Sequence, residues 1–316
     1  MNRHSAASLL LVLAISTGCT SEATAPDDAS LARRSSHVVI PSTGSVVYNN
    51  IPSPMPNNVP SQGFQCCQTA ELGDHVALAG TARRARSATV LMSSWSLNSS
   101  YPSMDAAGYT HPITLNIYNA NTTGAAPALG ALIGTVTQTF LIPWRPAADP
   151  TCPGGTAWRA GDGSCYNGFA FTIEFDLRSL ALTLPDEFIF GVAFNTNSWG
   201  YQPIGQPGPY ESLNVGTANV GGIGVPPSIG VDVEPNAAFW NTGVAAWYSD
   251  GGAGGTNTFR RDENWLGYSP AARFAAFSVA TSADGCKKGG WQSLSRADAS
   301  SFSNQGDCVS YVKNGK

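Results

Sequence analysis

Hydrophobic and polar residues alternate strictly along several stretches of this chain. The clearest stretch is Phe169–Leu177, in which large apolar residues occupy every second position and Ala, Thr, Glu and Asp fill the positions between them. Alternation with a period of two places the apolar side chains on one face of a β-strand and the polar side chains on the other. The pattern therefore predicts a strand in a sheet that is buried on one side.

The same signal recurs along the chain, and no stretch of ten or more residues has helical periodicity. Connectors rich in Gly, Pro and Asn separate the alternating stretches, as expected for turns. Strands without intervening helices imply antiparallel pairing, so we expect an all-β fold, an antiparallel β-sandwich of the jelly-roll type. The other predicted strands are 86–97, 113–117, 131–142, 188–194 and 271–280.

Composition agrees with a secreted β-protein. Charged residues make up 12% of the chain, against about 25% in an average soluble protein. Gly (34) and Pro (21) are frequent, which is typical of a protein with many turns. The formal net charge is −4, and no stripe of Lys and Arg is interleaved with aromatic residues, so nucleic acid is not an expected partner.

The N-terminus has the organisation of an export signal. Arg3 and His4 precede an apolar run at 8–15, and small residues follow it. The run is shorter than the roughly 20 apolar residues of a transmembrane helix. We therefore expect residues 1–19 to be a signal peptide and the protein to be exported, either secreted or anchored at the cell surface or outer membrane.

Cys19 suggests a lipid anchor, which would be the protein's membrane attachment. It resembles the acceptor cysteine of a lipoprotein signal, although Ser16 stands where such signals usually carry Leu. The alternative is an ordinary signal peptide that contains a cysteine. The polar segment 20–44 has the composition of a flexible tether, and residues 45–281 then form one sandwich domain.

Six further cysteines form an even set, which in an oxidising compartment predicts disulfides. Cys152 and Cys165 bracket a Gly-rich loop, and Cys286 and Cys308 bracket the C-terminal segment 284–316. Their spacing favours one bridge within each pair. The second bridge would brace a segment that is too small for a core of its own.

The pairing of Cys66 and Cys67 stays open at this point. The alternatives are a bridge between these two neighbours, a bridge from one of them to the 152/165 loop, and two free thiols. A zinc site would need two close-spaced ligand pairs, and this pair alone is close, so we expect no metal site built from cysteine.

Two parts of the chain resemble known bacterial sequences. The stretches that carry the resemblance are Glu71–Thr81, Leu184–Thr196, Gly208–Val215 and Gly254–Arg260 in the body, and Cys286–Trp291 and Phe302–Val309 in the tail. On these residues the body, roughly residues 46–280, resembles a family of secreted or surface proteins of bacteria that are predicted to be β-sandwiches. The tail is similar to a short C-terminal motif on many exported bacterial proteins. The resemblance implies location and fold and brings no activity or catalytic residues.

Glu174 and Asp176 are the candidate catalytic acids. Residues two apart on a strand point the same way, and retaining glycosidases use two carboxylates about 5 Å apart. Arg178 lies on the same face and favours ionised carboxylates, whereas a general acid must hold a proton. We therefore favour a charged, solvated sheet face over a catalytic pair.

Histidine chemistry has little support. Of His37, His75 and His111, only His75 has an acid beside it, and neighbouring strand residues point to opposite faces. We expect Asp74 to serve a local turn or cap, and His111, which precedes a proline, to start a strand. No Gly-x-Ser-x-Gly elbow is present.

Loop carboxylates leave room for a structural calcium ion, and we expect no other cofactor. Calcium takes several Asp, Asn and carbonyl oxygens that converge. None of the candidates has the spacing of a known calcium loop, and turn chemistry explains each of them. They are Asp162, Asp232, Glu234 and Asp250.

Aromatic residues suggest a binding function. Exposed Trp and Tyr on a rigid sandwich can stack on sugar rings, and the most loop-like are Trp199, Tyr201, Trp265 and Tyr268. The alternative is that these rings fill the core. We favour an exported binding or adhesion protein that recognises a glycan or another envelope component. A polysaccharide hydrolase and a purely structural envelope protein are the other hypotheses.

Overall fold

Two antiparallel sheets pack face to face and enclose one hydrophobic core. The computed structural model describes residues 44–298 and 300–315; Cys19 and His37 lie outside them, as do residues 20–43 of the tether. The strands are β1 (Ser45–Asn49), β2 (Ser61–Gly63), β3 (Thr69–Ala77), β4 (Arg84–Ser94), β5 (Tyr109–Asn121), β6 (Ala128–Ile142), β7 (Trp158–Arg159), β8 (Cys165–Tyr166), β9 (Phe169–Asp176), β10 (Glu187–Ala193), β11 (Leu213–Gly216), β12 (Asn219–Val220), β13 (Ile223–Gly224), β14 (Val231–Asp232), β15 (Ala237–Thr242), β16 (Arg260–Glu263), β17 (Ala272–Val279) and β18 (Leu294–Ser295).

The strand order sets the two layers. The first sheet runs β1-β17-β4-β11-β2, with β9 also paired to β4 and β18 to β17. The second runs β16-β15-β3-β10-β5-β6, with β14 also paired to β3. All pairs are antiparallel except β17–β18. This arrangement confirms the predicted all-β sandwich.

The core lies where the inner faces of the two sheets meet. Phe188 of the second sheet packs edge-on against Phe274 of the first, with ring centroids 5.0 Å apart. Phe140 and Phe175 make a similar contact at 4.9 Å. Full burial of each such side chain contributes roughly 1.5–3 kcal/mol to folding, so these rings hold the sheets together.

All six predicted strands are present as β9, β10, β5, β4, β6 and β17, although their ends differ from the predicted ends. In β9 the apolar residues Phe171, Ile173 and Phe175 are buried, and the polar residues between them are half-buried. Strand β5 extends well beyond the predicted 113–117 at both ends. Its outer half carries Asn and Thr, which hide the alternation in the sequence.

The expectation of a turn or cap at Asp74 is wrong. Asp74 lies in the middle of β3 and is fully buried. Its Oδ1 accepts a 2.9 Å hydrogen bond from the backbone N–H of His75. Strand β3 is buried on both faces for most of its length, and its sequence lacks the alternation that would have revealed it.

The C-terminal segment contains a helix that the sequence did not predict. Helix α1 (Gln305–Asn314) begins after Asn304, whose side chain caps the N–H of Asp307, and ends at Gly315 in the left-handed region. Its Cys308 joins Cys286, Phe302 and Ala280 in a small separate cluster. The segment attaches to the sandwich through the pairing of β18 with β17.

All six described cysteines are in disulfides. The bonds Cys152–Cys165 and Cys286–Cys308 follow the spacing argument. Cys66 bonds to its neighbour Cys67, which decides between the alternatives left open for that pair. All described residues fall within one compact unit. None of the helices in the part of the chain that the structure describes is long and apolar enough to cross a membrane.

Candidate functional site

An aromatic groove lies at one edge of the sandwich, where β15 and β16 of the second sheet come close to β2 of the first. Its volume is about 510 Å³, within the range of roughly 300–1,000 Å³ that is usual for small-molecule sites. We call it the aromatic groove because five rings line it: Trp240, Trp247, Tyr248, Trp265 and Tyr268.

The rings divide into a floor and a mouth. Trp240 and Tyr248 are 3% and 2% exposed and form the floor. Trp247 and Tyr268 are 45% and 42% exposed and stand at the mouth. Large, rigid, exposed aromatic side chains around a concavity are typical of ligand-binding surfaces.

Trp240 is the centre of the aromatic group. Its ring centroid lies 5.2 Å from that of Trp265, nearly perpendicular at 85°. Trp247 and Tyr248 lie at 6.1 Å and 5.9 Å, each tilted by 52°. The Trp240 Nε1 donates to the hydroxyl of Thr69 at 3.0 Å, which fixes the ring on its strand. The rings therefore surround a concave space and do not form a flat platform.

Asp250 organises the loop that carries Trp247 and Tyr248. Its carboxylate accepts hydrogen bonds from the N–H groups of Gly252 and Gly254, both at 2.9 Å. Arg260 donates to the same carboxylate at 2.9 Å, and this pairing lowers the pKa of Asp250 to about 2. The guanidinium of Arg260 also lies 3.8 Å above the Tyr248 ring. The loop is thus held by charge and by backbone turns.

Glu263 and Asn264 supply free polar groups at the groove. One oxygen of Glu263 accepts from Arg261 at 2.8 Å, while Oε2 has no partner among residues 44–298 and 300–315. The Asn264 amide and the Tyr268 hydroxyl likewise have no hydrogen-bond partner within the described residues. Such groups are available to a polar ligand that sits against the rings.

The structure separates the four aromatic residues that the sequence singled out. Trp265 and Tyr268 line the aromatic groove. Trp199 and Tyr201 are not among its lining residues. Tyr201 is 55% exposed, but its hydroxyl donates a hydrogen bond to the buried carboxylate of Glu71. Tyr201 therefore covers a polar cluster on the outer face of the second sheet.

Glu71 is the centre of that polar cluster. Asn116 donates to it at 2.9 Å, and the hydroxyl of Tyr118 donates at 3.0 Å. Burial raises the pKa of Glu71, although the hydrogen bonds from Tyr201, Asn116 and Tyr118 act in the opposite direction. The carboxylate is completely inaccessible and its oxygens are occupied, so the cluster holds the sheet face together.

Glu174 and Asp176 do not line the aromatic groove. Both are half-buried and lie on the polar face of strand β9. Arg178 donates to both oxygens of Asp176, from Nε at 2.9 and 3.1 Å. Partial burial acts to raise the pKa of Asp176, but the hydrogen bonds from Arg178 outweigh it and the pKa is lowered. This geometry favours an ionised structural carboxylate.

The two described histidines are buried. His75 has no exposed surface and lies between Glu234 (3.6 Å) and Glu187 (3.9 Å); burial lowers its pKa despite these carboxylates. His111 contacts the backbone carbonyl of Asn195 at 2.9 Å, and burial lowers its pKa to about 4. Neither ring is hydrogen-bonded to a serine hydroxyl in the described part of the chain.

The candidate calcium carboxylates have local partners. Asp162 accepts from the N–H of Ser164 at 2.8 Å, and Asp232 accepts from the hydroxyl of Ser269 at 2.6 Å. Among residues 44–298 and 300–315, no group of three or more His, Cys, Asp or Glu is placed to hold a metal ion. These residues therefore provide no ligand set for the calcium ion that the sequence analysis considered.

Sequence reasoning missed the floor of the groove. Trp240 lies in β15, whose six residues are all buried and whose sequence has no clear alternation. A usable signal was the density of aromatic residues between positions 240 and 268, next to a Gly-rich loop.

Comparison of this chain with family models, curated proteins and solved structures gave no match.

Proposed function

We propose that this protein binds a glycan through the aromatic groove. The observation that carries the proposal is the concave arrangement of five aromatic rings, two of them exposed at the mouth, in a space of about 510 Å³. Sugar rings have apolar C–H faces and polar hydroxyl edges. The exposed rings of Trp247 and Tyr268 suit the faces, and the free groups of Glu263 and Asn264 suit the edges.

Rigidity supports the proposal. Trp240 is fixed by Thr69, and Trp265 donates a hydrogen bond from Nε1 to the buried carboxylate of Asp262 at 2.9 Å. Rings that are already ordered lose little conformational entropy when a ligand binds. A groove of this kind recognises a ligand without first rearranging.

The proposed location is outside the cytoplasm, either secreted or at the cell surface. The signal-like pattern that ends at Cys19 and the resemblance of the C-terminal motif to exported proteins support it. The three disulfides agree with an oxidising compartment. Mass spectrometry of the mature N-terminus tests the anchor: a diacylated Cys19 supports it, and an unmodified terminus cleaved elsewhere excludes it.

A glycan array with the folded mature protein tests the binding function. We expect a defined set of glycans to bind, and Trp247→Ala to weaken binding about tenfold or more through loss of the ring at the mouth. Trp95→Ala is the matched control, because Trp95 is 43% exposed and does not line the groove. Folded protein that binds no glycan, or equal losses in both variants, would refute the proposal.

A further inference from the structure

The aromatic groove has a negative electrostatic character. Asp262 and Glu263 line it, and none of its lining residues is Lys, Arg or His. Arg261 is beside it but donates to both Glu263 and Glu234. Arg260 is paired with Asp250 in the loop that precedes its strand. The lining itself thus carries two carboxylates and no cationic side chain, which disfavours an anionic ligand and favours a cationic one.

The ring geometry independently suits a cation. The three rings around Trp240 are tilted by 52–85° relative to it, so the rings are not coplanar, and all four line the groove. Aromatic faces are electron-rich and attract a positive charge within about 6 Å of the ring centre, most strongly for Trp. The guanidinium of Arg260, 3.8 Å from the centre of the Tyr248 ring, is an example of this attraction within the chain itself. The exposed rings of Trp247 and Tyr268 are the ones open to a ligand.

Glu263 provides the counter-charge at an accessible position. Its side chain is 57% exposed, and its Oε2 has no partner in the described part of the chain. Trp265, two residues further along the chain, lines the same groove. Asp262 has a different role, because Ser249 and Trp265 already occupy both of its oxygens.

From these observations we infer that the glycan is an amino sugar with a free, protonated amine, as in glucosamine oligomers. The inference rests on the proposed function and specifies its ligand class. The amine is held between the tilted rings and the Oε2 of Glu263, and the apolar face of the sugar packs on Trp247 at the mouth. An N-acetylated sugar of the same length keeps the stacking but loses the charge.

Calorimetric titration with matched oligomers tests the inference. The full chain is titrated with glucosamine, N-acetylglucosamine, glucose and glucuronic acid oligomers of equal length, at about pH 6, below the usual pKa of an amine. We expect the glucosamine oligomer to bind about five- to tenfold more tightly than its acetylated form, and the difference to shrink as salt is added.

Glu263→Gln tests the counter-charge. In this variant Arg261 keeps Glu234 as a partner, so no guanidinium is left uncompensated. We expect the affinity for the glucosamine oligomer to fall to nearly that for the acetylated oligomer, while the affinity for the acetylated oligomer is unchanged. Asp186→Asn is the control, because Asp186 is 91% exposed and lies outside the groove, and we expect it to keep the full preference.

The outcomes separate the two proposals. If neutral or acetylated oligomers bind and Trp247→Ala weakens them, but glucosamine oligomers bind no better, the amine inference fails and glycan binding stands. If Glu263→Gln leaves the preference unchanged, the assigned position of the amine is wrong and the inference fails. If no oligomer of any class binds the folded protein, both proposals fail.

Discussion

The indole Nε1 of Trp265 donates a 2.9 Å hydrogen bond to Oδ2 of Asp262, and this bond fixes one wall of the aromatic groove. The other oxygen of Asp262 accepts from the N–H of Ser249 at 2.8 Å and from its hydroxyl at 2.7 Å. Asp262 is 3% exposed. A single buried carboxylate therefore connects the Trp247 loop to the turn that carries Trp265.

Asp262→Asn is expected to destabilise the protein by about 1.5–3 kcal/mol, because an amide has one acceptor oxygen and leaves a buried donor unpaired. The affinity for glycan should fall as well, since Trp265 loses its orientation. Urea unfolding followed by tryptophan fluorescence measures the first effect, and titration measures the second. Trp265→Phe, which keeps a ring without the N–H, is the companion variant. An Asp262→Asn protein with wild-type stability and affinity would contradict this role.

Gly191 lies on β10, between β3 and β5. Because it has no side chain, the Glu71 side chain can reach from β3 over β10 to its hydrogen-bond donors on β5. A Cβ at position 191 would lie 2.0 Å from Oε1 of Glu71. Because Asn116 and Tyr118 hold that carboxylate in place, Gly191→Ala is expected to destabilise the protein by about 1–3 kcal/mol.

A double-mutant cycle isolates this contact. In the Glu71→Ala background the space above Gly191 is open. Gly191→Ala should therefore lower the free energy of unfolding much less in that background than in the wild-type chain. Thermal and urea unfolding of the four proteins give the coupling energy. Equal costs of Gly191→Ala in the two backgrounds would show that the glycine serves some other contact.

Asp74 is expected to make stability fall as pH rises. Burial, with added repulsion from Asp232, raises the pKa of Asp74 well above its ordinary value. The folded protein therefore keeps the proton over a pH range in which the unfolded chain has lost it. This contribution is fully present below the unfolded-state carboxyl pKa, about 3.9, and declines as pH rises through the folded-state pKa.

Asp74→Asn removes that decline, because an amide does not titrate and its oxygen can still accept from the N–H of His75. Urea unfolding at mildly acidic and mildly alkaline pH measures the difference between wild type and variant. We expect the variant to gain stability relative to wild type as pH rises. Exposed Asp186→Asn is the control. A difference that does not change with pH would contradict the assignment.

The Cys286–Cys308 disulfide is expected to hold the C-terminal segment closed. The bond spans 22 residues, and closing a loop of that size contributes about 3 kcal/mol in the chain-entropy description. In a Cys286→Ser, Cys308→Ser double variant, we expect trypsin to cleave rapidly after Lys313 and Arg296 while the sandwich stays intact, as followed by mass spectrometry. The matched control is the Cys152→Ser, Cys165→Ser variant, in which the tail should stay resistant. Resistance of the tail in both variants would refute the prediction.

The sequence signal for a strand was clearest where large apolar residues alternate with polar ones. Strand β9 is the clearest example, because Ile173 and Phe175 alternate with half-buried polar residues. Strands β3 and β15 lack that contrast in their sequences. Near-complete burial alone does not explain this, because β4 and β10 are equally buried and were predicted. Helix α1 is short and lies in a polar segment, so no apolar periodicity marks it in the sequence. The local feature that marks its start is the capping residue Asn304.

The candidate site was predictable only in part. Trp265 and Tyr268 could be selected as loop aromatics, but Trp199 and Tyr201 met the same criterion and lie elsewhere. Nothing local distinguishes the two pairs. What distinguishes them is the partner that each meets: Tyr201 donates to Glu71, whereas Trp265 packs on Trp240.

The sequence by itself determined the all-β class, the predicted strands and two of the three disulfide pairs, because alternation and spacing are local properties of the chain. The aromatic groove was decided by tertiary structure alone. Trp240 of β15 and Trp265 of the turn after β16 become neighbours through sheet pairing, and β2 from the other sheet completes the lining. The Glu71 cluster likewise depends on β3, β10 and β5 lying side by side. Contacts between distant segments depend on which strands pair and in which register, and no local pattern of residues specifies that choice.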